Sequence, residues 1–118
     1  MLLGNPGRLF DQNMFNITVD RPAEEMLLWL KLRDRVIHGR IAKAIDELEQ
    51  KGIHHTQIYR LSDPDPIYRR RIWRWRIIFT LEPGDEIAVW IIDIEKDTKK
   101  DYGSWIAKIK QRRRLLFG

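Results

Sequence analysis

The nine residues Tyr68-Arg69-Arg70-Arg71-Ile72-Trp73-Arg74-Trp75-Arg76 hold the densest chemistry in the chain. Guanidinium groups grip phosphate oxygens through charge-assisted forks, and indole rings stack on unpaired bases. In an extended strand alternate residues share a face, so Arg69, Arg71, Trp73 and Trp75 point one way if no bulge intervenes. Cations and flat rings on one surface are what recognition of single-stranded RNA requires. Arg70 and Arg74 add to the same RNA-binding stretch. A second reading puts Trp73 and Trp75 in the core, with the arginine stems snorkelling past them.

The remaining reactive side chains are sparse. His54 and His55 are adjacent, so on a strand they face opposite ways, and no third ligand stands near them in sequence. His38 before Gly39 reads as a helix-junction residue. Asp63 and Asp65 are flanked by prolines and read as turn residues rather than a carboxylate pair. The chain has no cysteine, which excludes disulfides, thiolate catalysis and sulfur-ligated zinc. There is no phosphate loop, dinucleotide fingerprint or nucleophile elbow. No metal and no cofactor is expected.

Twenty-two Lys and Arg against 17 Asp and Glu give a net charge of +5. The excess falls in two clusters, Arg69 to Arg76 and Lys108, Lys110, Arg112, Arg113 and Arg114. Such clusters suit a polyanion, because each neutralised phosphate releases counterions. An acidic protein partner suits them too.

These residues must be positioned by a single domain, since 118 residues support one core and not two. Residues 1–13 hold two Gly, a Pro and no sustained periodicity, and are expected to form a flexible leader, with translation starting at Met14. The domain then spans residues 14–118. Phe15, Ile17 and Val19 alternate with polar residues as in a half-buried strand. Asp20-Arg21-Pro22 starts a helix running to about Val36, with Met26, Leu27, Trp29, Leu30, Val36 and Ile37 on its apolar face. A second helix after His38-Gly39 carries Ile41, Ala44, Ile45 and Leu48 and stops at Gly52. A strand over His55 to Leu61 ends at Pro64 and Pro66. The long stretch Ile67 to Leu81 reads as one bent or bulged strand, and turns at Glu82-Pro83-Gly84-Asp85 into Glu86 to Ile94. That last strand is nearly continuous in apolar residues, as expected of one covered on both sides. A basic helix follows from Tyr102 to about Arg114. The order predicts an α+β fold, an antiparallel sheet of three to four strands packed against an N-terminal helical hairpin, with a C-terminal basic helix.

No apolar run approaches the ~18 residues of a membrane helix, and Met1-Leu2-Leu3 before Gly4 lacks the apolar core of a secretory signal. A soluble, cytoplasmic protein with no membrane partner is expected.

Taken together, Ile67-Tyr68-Arg69-Arg70-Arg71, Trp75-Arg76-Ile77-Ile78-Phe79, the Gly-Asp turn, Ile87 to Ile94 and the basic segment ending in Tyr102 resemble the C-terminal half of RelE/ParE-superfamily toxins. The strand and helix pair before them fit the same layout over residues 15 to 110. For the RelE-like branch the resemblance implies a type II toxin that cleaves messenger RNA on the ribosome and so inhibits translation. It implies a metal-independent endoribonuclease, held in a toxin-antitoxin complex by a cognate antitoxin. Position by position, it puts Arg69 and Arg71 at the family's basic strand sites and Arg76 at the arginine of its "YR" pair. Lys96, Lys99 or Lys100 stand for the terminal basic residues, and Tyr102 for the C-terminal tyrosine. The Gly-His-Arg-like motif of many members is replaced here by Glu95-Lys96-Asp97.

Attack by a 2′-hydroxyl needs a base, stabilisation of the phosphorane's charge and an acid for the leaving oxygen. Arginines fill the middle role, and Lys99 or Tyr102, with a pKa lowered by neighbouring cations, would fill the others. Lys96 and Lys100 would add RNA contacts. Two alternatives stay open: a ParE-like inhibitor of DNA gyrase, and a non-enzymatic RNA-binding or ribosome-associated module.

Overall fold

The computed structural model describes residues 14–55, 57–94 and 103–118. The expected leader, residues 1–13, lies outside the described residues. The elements run β1 (Asn16–Val19), α1 (Arg21–Arg33), α2 (Arg35–Lys51), β2 (Ile58–Arg60), β3 (Ile67–Ile72), β4 (Trp75–Glu82), β5 (Glu86–Ile94) and α3 (Gly103–Phe117). They form one five-stranded sheet in the order β1-β5-β4-β3-β2. Three of its pairings are antiparallel, and β1 runs parallel to β5. The α+β class holds, and the sheet has five strands against the expected three to four because the stretch Ile67 to Leu81 divides into β3 and β4.

Alternation sorts the strands into two buried faces. On one, α1 and α2 set Ala23, Leu30, Ile37, Ile41, Ala44 and Leu48 against Tyr68, Ile72, Ile77, Phe79, Ile87, Val89 and Ile92. On the other, α3 covers Ile67, Ile78, Ala88 and Trp90 with Ile109, and Trp105, Ile106 and Phe117 pack around them. β5 is thus buried from both sides, which is why its sequence lacks a polar alternation. The β4–β5 register steps from Ile78↔Ile91 to Phe79↔Val89. Trp90 is the extra residue of this bulge, so Trp90 and Ile91 both turn toward α3.

The two helices meet at Asp34, not at His38-Gly39. Asp34 is extended at φ −149° and closes α1 through its N–H to Leu30 O. Its carboxylate accepts from Ile37 N at 3.2 Å and so caps α2. His38 and Gly39 lie inside α2. A helical glycine costs only about 1 kcal/mol, less than the packing of Ile37, Ile41, Ala44 and Leu48 returns. Trp29 and Val36, expected on the apolar face, are exposed; the break at Asp34 rotates Val36 away from the stripe of α1, and Trp29 lies on the outer side of α1 under the Arg33 guanidinium.

Gly52 ends α2 at φ 65°, ψ −132°, a region that side chains avoid. A Cβ there would also lie 2.6 Å from Phe15 Cε1. Gly52→Ala is therefore expected to lose about 2–4 kcal/mol through backbone strain and overpacking. Phe15→Leu in the same chain should restore part of the loss by removing the clash and none of the strain. Urea midpoints of the parent and the two variants check this, and an unchanged midpoint for Gly52→Ala refutes it.

Candidate nucleic-acid interface

In β3, Ile67, Arg69 and Arg71 face α3 while Tyr68, Arg70 and Ile72 face the helical hairpin. Cross-strand partners share a face, and Arg71 is paired with Arg76 and Arg69 with Ile78. Arg69, Arg71 and Arg76 therefore stand on the same side of the sheet. Tyr59 of β2, the partner of Arg69, joins them, and the Arg69 guanidinium lies 5.2 Å from its ring centroid. Tyr59 is 47% exposed.

Arg76 is set differently from its neighbours. It has no exposed surface. Its Nε and Nη2 donate to the two carboxylate oxygens of Asp93 at 2.6 and 3.1 Å. The ring of Trp105 on α3 lies 5.4 Å from its Cζ. A bidentate fork of this kind fixes the plane of the guanidinium as well as its charge. Asp93 is the cross-strand partner of Arg76 and the one charged residue between Ile87 and Ile94. That isolation is the signal by which sequence reading could have found it.

The tryptophans depart from expectation. Ile67 to Leu81 is not one bent strand: Trp73 and Arg74 form a two-residue turn between β3 and β4. Trp73 takes φ 56°, a conformation that bulky side chains rarely adopt. Because the turn consumes two residues, Trp75 pairs with Ile72 and packs into the core on the hairpin side. Trp73 and Trp75 therefore do not share the face of Arg69 and Arg71. Arg70 also points to the hairpin side, with Nη2 3.3 Å from Glu47 Oε1 and Nη1 2.8 Å from Arg71 O. Arg74 is exposed at the turn.

Arg70 and Trp73 instead border an open cleft of about 620 Å³ between α2, the segment before β2 and the β3–β4 turn, with Arg40, Lys43, His55 and Arg71 on its walls. The Arg40 guanidinium stacks 3.8 Å from the Trp73 ring centroid. Arg71 Nε donates to Trp73 O at 3.0 Å. Gln57 N donates to His55 Nδ1 at 3.0 Å, which fixes that ring. Sequence reading missed this cleft because Arg40 and Lys43 sit on a helix far from the arginine strand.

The second basic cluster is not a polyanion surface as a whole, since much of it docks α3 on the sheet. Arg113 forks onto Glu82 at 2.7 and 2.9 Å and reaches Asp65 at 3.1 Å. Arg112 forks onto Asp20 at 2.8 and 3.3 Å, and Lys110 meets Asp63 at 2.9 Å. Asp20 thus sits at the N-terminus of α1 without a side-chain capping bond. Hydrogen bonds to Glu82 and to Asp20 push the guanidinium pKa values of Arg113 and Arg112 up. Asp63 is held below the usual carboxylate range, first by the backbone N–H of Asp65 and then by Lys110. The Asp63 to Asp65 contact, at 2.9 Å, is the turn bond expected there.

Lys96, Lys99, Lys100 and Tyr102 lie outside the described residues. Among the described residues, no three His, Asp or Glu side chains are grouped to hold a metal ion, and no helix is long and apolar enough to cross a membrane.

A five-stranded sheet with a helical hairpin on one face and α3 on the other is the fold of solved YoeB and YoeB/ParE toxin structures. Among solved structures it is similar to YoeB toxins. The YoeB dimer from Staphylococcus aureus matches with a TM-score of 0.60 at 17% identity, covering 70% of this chain and 99% of the other. The YoeB-YefM complex from the same organism matches at 0.59 and 16%, covering 70% and 98%. A YoeB/ParE toxin from Agrobacterium tumefaciens matches at 0.62 and 10%, covering 70% and 100%. No protein-family model matches the chain, and no curated protein matches it.

Proposed function

We propose that this chain is the toxin of a type II toxin-antitoxin pair, RelE-like, which cleaves messenger RNA on the ribosome without a metal ion. The observation that carries the reading is that Arg69, Arg71 and Arg76 stand with Tyr59 on one face of a RelE/ParE-fold sheet. Arg69 and Arg71 hold the phosphates flanking the scissile bond. Arg76, fully buried and forked onto Asp93, braces the strand beside them and acts on the site through their placement. Tyr102 is the first candidate for proton transfer, with Lys99 as its partner, while Lys96 and Lys100 contact the strand. Arg74 adds a phosphate contact at the turn. The S. aureus YoeB structures include a complex with YefM as toxin and antitoxin, and by analogy a cognate antitoxin covers the basic face of this chain with an acidic or amphipathic segment.

Induction of the chain should arrest growth within a generation and leave fragmented transcripts on primer extension. The Arg69→Ala/Arg71→Ala variant should lose at least tenfold in cleavage of a ribosome-bound message, since two charge-assisted phosphate contacts at ~1.5–3 kcal/mol each are removed. Arrest with intact transcripts overturns the nuclease reading.

One observation favours a second reading, a ParE-like inhibitor of DNA gyrase. Arg76 is wholly buried and already carries a carboxylate, as suits an arginine that shapes a binding surface. A supercoiling assay with purified gyrase separates the two.

A further inference from the structure

The front face does not account for the cleft beyond the end of β3. We propose that this cleft is a second station for single-stranded RNA, which holds the backbone and one base of the strand after it rounds the sheet edge. The inference rests on the RNA reading above and adds to it the path of the strand.

Three features carry it. First, the cleft is cationic: Arg40, Lys43, Arg70 and Arg71 line it, and its carboxylate, Glu47, is bonded to Arg70. Second, it is continuous with the front face. Arg71 stands on the face of Arg69 and Arg76 by strand alternation, and it also lines the cleft. A strand gripped at Arg69 can therefore pass over Arg71 into the cleft without leaving positive potential. Third, the cleft offers a ring. Trp73 is 58% exposed, stands in the β3–β4 turn at φ 56°, and carries the Arg40 guanidinium stacked on it. Such a pair is a stacking platform for a base. An acidic peptide would use the cations and leave the ring without a role, which is why RNA is the occupant the geometry favours.

The test uses the full chain and 2′-O-methyl oligouridylates, which lack the attacking hydroxyl, of about four and about twelve nucleotides, long enough to occupy one station or both. Arg40 and Lys43 are exposed on α2, so Arg40→Gln/Lys43→Gln removes two cations without opening the core; thermal melting checks this. Fluorescence anisotropy should show the variant binding the longer strand about tenfold more weakly, with the salt slope reduced by about 1.4. The shorter strand should bind as in the parent. Trp73→Ala should weaken the longer strand roughly five- to 100-fold, as loss of one stacked base does, with the slope unchanged. If both variants bind the longer strand as the parent does, while Arg69→Ala/Arg71→Ala weakens both strands, the cleft station is refuted and the front-face reading survives. If no variant affects either strand, both fall. If poly-glutamate binds the parent but not Arg40→Gln/Lys43→Gln, and RNA binding is unchanged, the cleft is a protein site and the proposal is overturned.

Discussion

Asp93→Ala should destabilise the fold by about 2–4 kcal/mol, with a matching fall in the urea midpoint. The guanidinium of Arg76 has no exposed surface, and removing its carboxylate leaves a buried cation stripped of its main counter-charge. Breaking a buried pair in this way commonly costs about 3–5 kcal/mol. The lower figure is appropriate here because the Asp93 side chain is 33% exposed, so water can enter where the carboxylate was. Arg76→Met should cost less than Asp93→Ala, since the orphan is then a carboxylate that solvent reaches. The double variant Arg76→Met/Asp93→Leu should recover most of the loss, because no charge remains to be desolvated. Additive losses in the cycle would mean that the pair is not coupled. Arg76 would then need another explanation for its burial.

The second large effect is expected at the dock of α3. Trp90 Nε1 donates to Thr80 Oγ1 at 2.8 Å, Thr80 Oγ1 donates to Glu82 Oε2 at 2.5 Å, and Arg113 forks onto the same carboxylate. The Glu82 side chain is only 1% exposed. Arg113→Met leaves that carboxylate in the interior with one hydroxyl donor, and a loss of about 3–5 kcal/mol is expected. Glu82→Gln in the same chain should return much of it, since an amide can stay buried beside Thr80 at far lower cost. Thermal melting followed by circular dichroism reads the loss. A melting point for Arg113→Met within a degree of the parent would refute the dock. Arg112 and Lys110 are more exposed than Arg113, and their replacement should matter much less.

The elements were legible where a period was long or a punctuation mark strong. Ile87 to Ile92 announced a strand buried on both faces, Gly84 marked the turn before it, and Pro64 and Pro66 marked the break between β2 and β3. The helical hairpin followed from the stripe Ile41, Ala44 and Leu48 and from Gly52. What failed had weak local signals. His38-Gly39 reads as the junction because glycine breaks helices, whereas the structure places it at Asp34, whose carboxylate caps α2. The turn at Trp73-Arg74 carries none of the Gly, Asn or Asp that two-residue hairpins favour, so the chain there read as continuous strand. That single error sent Trp73 and Trp75 to the wrong surface. The common face of Arg69, Arg71 and Arg76 was half legible: alternation relates Arg69 to Arg71, while Arg76 joins them only through the hairpin register. The partners Asp93 and Glu47 belong to other elements and depend on the tertiary fold.

The parallel pairing of β1 with β5 has a bearing on how the chain is made. Asn16 finds its partner at Glu86, about 70 residues later, so the first strand cannot enter the sheet until β5 has been synthesised. Contacts between such remote segments form slowly, because loop closure must precede any gain from pairing. Vectorial synthesis therefore delivers α1 and α2 before the partner of β1, and this edge of the sheet closes only after residues 86–89 have left the exit tunnel. A truncated product ending before β5 would leave β1 and β4 without their common neighbour, and should be cleared by proteases rather than accumulate.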